Sequence, residues 1–90
     1  MTTDDTISAS PDVVAREIGD EMVLMDLQSG TYFGLNLVGS FIWERISAEP
    51  QTIGSLADAV AARFDATRDD ILSDIVDIAE QLQSNGLLAT

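Results

Sequence analysis

One uncharged run constrains this chain more than any other feature. From Leu27 to Trp43 there is no Asp, Glu, Lys or Arg, and Asp26 and Glu44 close the run at its two ends. Elsewhere the chain is densely acidic, with 16 Asp and Glu against 4 Lys and Arg, all of the latter Arg. The run opens on a turn signal, Gln28-Ser29-Gly30. Thr31-Tyr32-Phe33 follow, β-branched and aromatic, as a pleated strand favours. Gly34 predicts a bulge or the close approach of another backbone. Asn36 suits a helix N-cap, because its side-chain oxygen accepts a free N–H of the first turn. Leu37, Val38, Phe41, Ile42 and Ile46 then supply an apolar helix face. Turn, strand and helix thus follow one another without a charge.

Ninety residues make one small domain, and 46% hydrophobic residues are enough for a modest core. The absence of Cys excludes disulfides and thiolate metal sites. The absence of His removes the usual general base and the commonest metal ligand. A formal net charge of −12 repels phosphate backbones and anionic membranes. The opening MTTDDTISASP has neither a basic nor an apolar signal region, and no apolar run approaches a membrane span. These features predict a cytoplasmic protein that binds neither nucleic acid nor membrane.

Residues 1–11 read as a flexible N-terminal tail and residues 12–90 as the domain. Val13 to Ile18 predicts a first strand, Gly19-Asp20 a turn, and Glu21 to Asp26 a second strand. Met22, Val23, Leu24 and Met25 are apolar on both faces, so the second face also has something to cover. Residues 31–35 form the third strand of an antiparallel meander, at its edge. Three helices follow. The first runs over about 37–47, until Glu49-Pro50 breaks it. The second is capped by Thr52 and carries Ile53, Leu56, Ala57, Val60, Ala61 and Phe64. The third starts at Thr67 with Asp70 as a capping-box-like pair and ends near Asn85, with Gly86 suited to C′. Leu87-Leu88 should fold back on the core.

Two features exceed what a small core requires. On the third helix Ile71, Ile75, Ile78 and Leu82 form one apolar line, and Leu72, Val76 and Ala79 a second, an arc of roughly 160°. Either both lines are core, or one packs the domain while the other walls a groove; Asp74, Asp77 and Glu80 lie on or beside the polar side, as on a solvated face. The third strand carries no Lys, Pro or inward charge to guard its edge. Either another element or a second copy covers it, or it stays open to accept a peptide strand. Catalysis finds no support, because no nucleophile stands with a base and the carboxylates are scattered. No metal or cofactor is implied. Strands with three helices also suggest a winged helix-turn-helix, but a recognition helix should be basic, and this third helix is acidic after Arg68.

The pattern Met22-Val23-Leu24-Met25-Asp26-Leu27, Gly30-Thr31-Tyr32-Phe33-Gly34-Leu35-Asn36, Gly39 and Ile42-Trp43 resembles the PqqD-like family. The resemblance continues through Thr52-Ile53, Phe64-Asp65, Asp74-Ile75, Leu82 and Gly86-Leu87-Leu88, and covers residues 12–89. It implies an α+β, winged helix-turn-helix-like fold, a three-stranded antiparallel sheet followed by three helices. It also implies a non-catalytic recognition element for ribosomally made, modified peptides. Members bind the leader of a precursor peptide as a strand added to the third strand, against the third helix. Carried onto this chain, that site comprises Thr31, Tyr32, Phe33, Gly34 and Leu35, with Ile75, Ile78 and Leu82 on the helix, Ile71 at its end and Asp74 as a polar contact. Tyr32 and Phe33 point to opposite faces, so only one can meet the helices.

Two family roles fit. One is the leader-binding protein of lasso-peptide pathways, which hands its precursor to a leader peptidase and a cyclase. The other is the pyrroloquinoline quinone chaperone, which presents its precursor to a radical-SAM enzyme. The run from Leu24 to Asn36 is more similar to the lasso type. A different class is a structural protein that dimerises through its edge strand, so the expected states are a monomer or a weak homodimer. The negative surface favours a neutral or basic leader. It also predicts no retardation of duplex DNA at physiological salt in a mobility-shift assay; tight DNA binding would restore the winged-helix reading.

Overall fold

A computed structural model describes residues 1–89. Its elements are β1 (Thr6–Ile7), β2 (Val13–Ile18), β3 (Glu21–Asp26), β4 (Tyr32–Leu35), α1 (Leu37–Ala48), β5 (Gln51–Thr52), α2 (Ile53–Arg63) and α3 (Arg68–Ser84). β2, β3 and β4 form the expected antiparallel meander in that order. Gly19-Asp20 joins the first pair as a two-residue turn, with Ile18 opposite Glu21. Gly30, at φ 72°, adopts the left-handed conformation that closes the second hairpin. Its N–H donates to the Asp26 carbonyl at 2.8 Å. Thr31 belongs to that turn, its N–H donated to the Ser29 hydroxyl, so β4 starts one residue later than expected. The β3–β4 register is unbroken through Gly34, which makes no bulge.

Strand alternation sorts the sheet into two faces. Met22, Leu24 and Leu35 are buried on the inner face, and Phe33, in register with Leu24, packs against the same core. The helices cover that face. Asn36 caps α1 by accepting the Gly39 N–H at 2.8 Å, Thr52 caps α2 through the Ser55 N–H, and Thr67 caps α3 through the Asp70 N–H. Ile42, Ile53, Leu56, Ile75, Leu82 and Leu87 complete the core with Leu24. Phe41 of α1 meets Phe64, beyond α2, edge-on at 5.7 Å between centroids. Leu87 and Leu88 fold back as expected, both buried, and the Leu87 N–H returns to the Leu82 carbonyl.

The segment expected to be a loose tail is built into the body. β1 pairs antiparallel with β5, Thr6 opposite Thr52 and Ile7 opposite Gln51. The Ile53 and Gly54 N–H groups donate to the Asp5 and Thr3 carbonyls, which satisfies part of the free start of α2. Ser10 and Ala89 exchange bonds with Leu87 and Ser8, so the two chain ends lie side by side. Ile7 is 2% exposed. A single apolar residue in a polar stretch leaves no periodicity to read, and the two-residue β5 beside Pro50 leaves none either. Gln51 is buried there, its amide shared between Glu49 and the Ser55 hydroxyl.

Ile7→Ala should therefore lower stability by about 2–5 kcal/mol, as for other buried Ile truncations. Urea denaturation followed by circular dichroism measures this. A loss under about 0.5 kcal/mol, typical of surface positions, would return residues 1–11 to the status of a tail.

Candidate functional site

The hydrogen-bond phase of the sheet determines what its free edge offers. In an antiparallel pair, directly opposite residues alternate between exchanging hydrogen bonds and not exchanging them. The Asp26 N–H donates to the Thr31 carbonyl at 3.0 Å, which fixes the β3–β4 phase. Leu24 and Phe33, and Met22 and Leu35, are then the bonded pairs. The Leu27 N–H donates to the Asp12 carbonyl, which turns the alternate groups of β3 toward β2 and gives the same phase. Tyr32 and Gly34 therefore direct their N–H and C=O groups away from the sheet. Among the described residues no strand pairs with that side of β4. The opposite edge, β2, carries Arg16 and Glu17, charges that discourage strand addition. β4 has none.

Where β4 ends, a notch begins. Asn36 and Val38 at the start of α1 face Asp74, Asp77 and Ile78 of α3 across a cavity of about 170 Å³. Asn36 follows Leu35 directly, so the notch continues the inner side of the edge. Val38 and Ile78 are half-buried, and Asp74 and Asp77 are exposed. The one ion pair among the described residues lies elsewhere, Arg68 to Asp58 at 2.6 Å on the exposed surface. The notch thus sets Val38 and Ile78 beside two carboxylates that form no ion pair among the described residues. It suits an apolar side chain next to a cationic or hydrogen-bond-donating one. Among the described residues no three acidic side chains gather as a metal cage.

The residues expected on α3 divide. Ile71, Ile75 and Leu82 are buried with Ala79 in the core, so they form its inner seam and do not line an open groove. At 100° per residue these four span about 80°. Ile78 lies roughly 20° outside that arc, on the side of Asp74, and so reaches the notch. Leu72 and Val76 flank the other side, half-buried. The two lines drawn along the sequence were each split, because helix packing selects positions by angle and not by row. Of the strand residues, Tyr32 and Gly34 present the free backbone groups. Phe33 points its side chain inward and its backbone to Leu24, Leu35 is core, and Thr31 lies in the turn. Asn36, Val38 and Asp77 were not among the expected site residues; Asn36 and Val38 were read only as cap and helix face.

Residues 21–88 match the model of a known family, described as coenzyme PQQ synthesis protein D (PqqD). The chain belongs to the PqqD family. Two solved structures share its fold. The first, described as "TbiB1 in Complex with the TbiA(beta) Leader Peptide", is 36% identical, with a TM-score of 0.82 over 91% of this chain and 94% of that one. The second, "Lasso peptide synthetase B1 complexed with the leader peptide", is 24% identical, with a TM-score of 0.79 over 93% of this chain and 98% of that one. No curated protein matches the chain. In this PqqD-family member no helix among the described residues is long and apolar enough to cross a membrane.

The edge geometry is testable without a ligand. In the free protein the amide protons of Tyr32 and Gly34 should exchange fast, and those of Phe33 and Leu35 slowly. Residue-resolved hydrogen exchange by NMR reads both. Protection at Tyr32 and Gly34 in the free chain would mean that something already covers the edge.

Proposed function

We propose that this PqqD-family chain binds the leader segment of a ribosomally made precursor peptide as an antiparallel strand on β4. The observation that carries the reading is the uncharged edge at Tyr32 and Gly34, opening directly beside the notch of Val38 and Ile78. The structural relative described in complex with a leader peptide, at 36% identity, supports it. The chain then presents the bound precursor to maturation enzymes, the leader peptidase and cyclase of a lasso-peptide pathway. A second reading is presentation of a coenzyme precursor to a radical-SAM enzyme, in keeping with the family model's description as a coenzyme PQQ synthesis protein. Neighbouring genes separate the two: a transglutaminase-like peptidase and an asparagine-synthetase-like cyclase go with the first.

The energetics require both parts of the site. Each backbone hydrogen bond gained contributes about 0.5–1.5 kcal/mol net. Ordering a free peptide costs about 2–5 kcal/mol or more. The N–H and C=O groups of Tyr32 and Gly34 alone roughly offset that cost. Net affinity needs further apolar burial, of leader side chains along the inner side of the edge as well as in the notch, at about 25 cal/mol per Å² of apolar surface. Leader residues opposite Phe33 and Leu35 face inward, toward Ile78 and Val38. The chain itself has a binding role and no step of chemistry, so precursor incubated with it alone keeps its mass.

Gly34→Pro removes one outward N–H and should weaken leader binding at least tenfold, about 1.4 kcal/mol. Ile78→Asp places a charge in the notch and should do the same. Phe33→Pro removes a bond to β3 and damages the sheet itself. Fluorescence anisotropy with a labelled leader measures binding, and circular dichroism identifies folded variants. If folded Gly34→Pro and Ile78→Asp variants both bind as the parent does, the leader sits elsewhere.

A further inference from the structure

Two of the chain's four arginines converge on one aromatic ring. The guanidinium of Arg45, in the last turn of α1, lies 5.6 Å from the centroid of Phe41, and that of Arg63, in the last turn of α2, 5.7 Å. Phe64 meets the same ring edge-on. The dipole at a helix C-terminus favours a cation there, which accounts for each arginine separately. It does not account for both on one ring. In a chain of net charge −12, neither forms an ion pair among the described residues, although Glu44, Glu49 and Asp65 are close in sequence. A guanidinium held over a ring keeps the N–H donors of its edge free, in the geometry that takes a carboxylate bidentately.

The place of this cluster relative to the open edge gives it an occupant. Val38, Phe41 and Arg45 fall within about 60° of one another around α1. Their stripe climbs about 10 Å from the notch to Arg45. Ile78 of α3 faces its foot, and Phe64, on the link from α2 to α3, its middle. β4 runs toward Asn36, so a peptide added antiparallel to it has its N-terminal end there, at the foot of the stripe. Resting on the leader-binding reading above, we propose that the leader segment preceding the added strand continues along α1 and sets an Asp or Glu side chain on Arg45 and Arg63. At about 3.3 Å per extended residue, that acid stands about three residues before the one in the notch. The two stations have opposite charge. Asp74 and Asp77 favour a cationic or donating residue and the arginines an acid, so only one direction of the peptide matches both. Elsewhere the charge of the chain disfavours an acidic leader residue.

The test uses the full chain and, as probe, the fluorescently labelled leader of the precursor encoded beside it, read by anisotropy. Arg45→Gln with Arg63→Gln removes both charges at exposed positions, and circular dichroism identifies folded variants. The double variant should bind the full leader at least tenfold more weakly than the parent. A leader shortened to its strand-forming segment should bind parent and variant within twofold of each other. Charge reversal separates a contact from a merely structural role. With the leader's acid changed to Lys, binding should weaken at least fivefold for the parent and strengthen for Arg63→Glu. Equal binding of the full leader by the folded double variant and the parent overturns the proposal, and with Gly34→Pro still defective it does so without touching the leader-binding reading. A loss that persists undiminished with the shortened leader also overturns it, since the arginines would then act on the fold. A parent that binds no leader overturns both.

Discussion

The first turn of α1 rests directly on the end of β4, and the geometry of the site depends on that contact. Leu35 is buried beneath the turn, and Asn36 caps it through the Gly39 N–H. A Cβ at Gly39 would come within 3.0 Å of Leu35 Cδ2 and 3.3 Å of the Asn36 side-chain oxygen. A side chain there would press on the Leu35 and Asn36 side chains, which would have to give by a few tenths of an ångström. The cap and this close packing hold α1 against the end of β4. Val38 is thereby placed opposite Ile78 and Asp74, and the notch opens where the free edge ends. A looser connection would leave an edge and a groove with no fixed relation to each other.

The same junction explains why the two sheet edges differ in kind. β2 is also unpaired on its far side, but Arg16 and Glu17 interrupt it and no helix stands beside it to receive side chains. β4 has free backbone groups at Tyr32 and Gly34, no charge, and a floor supplied by α1 and α3. Edge strands are ordinarily guarded because their hydrogen-bond pattern accepts any extended chain. Here the guarding charges lie on the far edge, and an acidic notch accompanies the open one. Under the proposed mode the carboxylates of Asp74 and Asp77 would bias which strand is accepted.

Much of this was legible in the sequence, and the limits have physical causes. The meander, the three helices and the caps at Asn36, Thr52 and Thr67 follow from local chemistry, since turn residues and cap oxygens act within a few positions. The uncharged edge was legible because absence of charge survives any error of register. What escaped depends on contacts between distant segments. Ile7 could not be assigned to the core, because its partner strand at Gln51 is two residues long and lies 44 positions away. The division of α3 into a core seam and a single apolar notch residue, Ile78, depends on the angle at which α1 and α2 pack. Which of Tyr32 and Phe33 faces the helices depends on phase, set by the Asp26–Thr31 bond. The apolar run Met22 to Met25 does divide between the two faces, with Val23 and Met25 on the outer one.

Strand geometry then assigns adjacent residues of an added peptide to different surroundings. Backbone bonds to Tyr32 and Gly34 carry no information about side chains. A notch of about 170 Å³ has room for little more than one large side chain, so selectivity within the added strand rests on one or two inward positions. The outward positions lie on the opposite side of the sheet, about 10 Å from the layer beneath it, where none of the chain's helices can touch them. Under the proposed mode they face solvent. A change at an inward leader position would therefore alter affinity for this chain far more than a change at its outward neighbour.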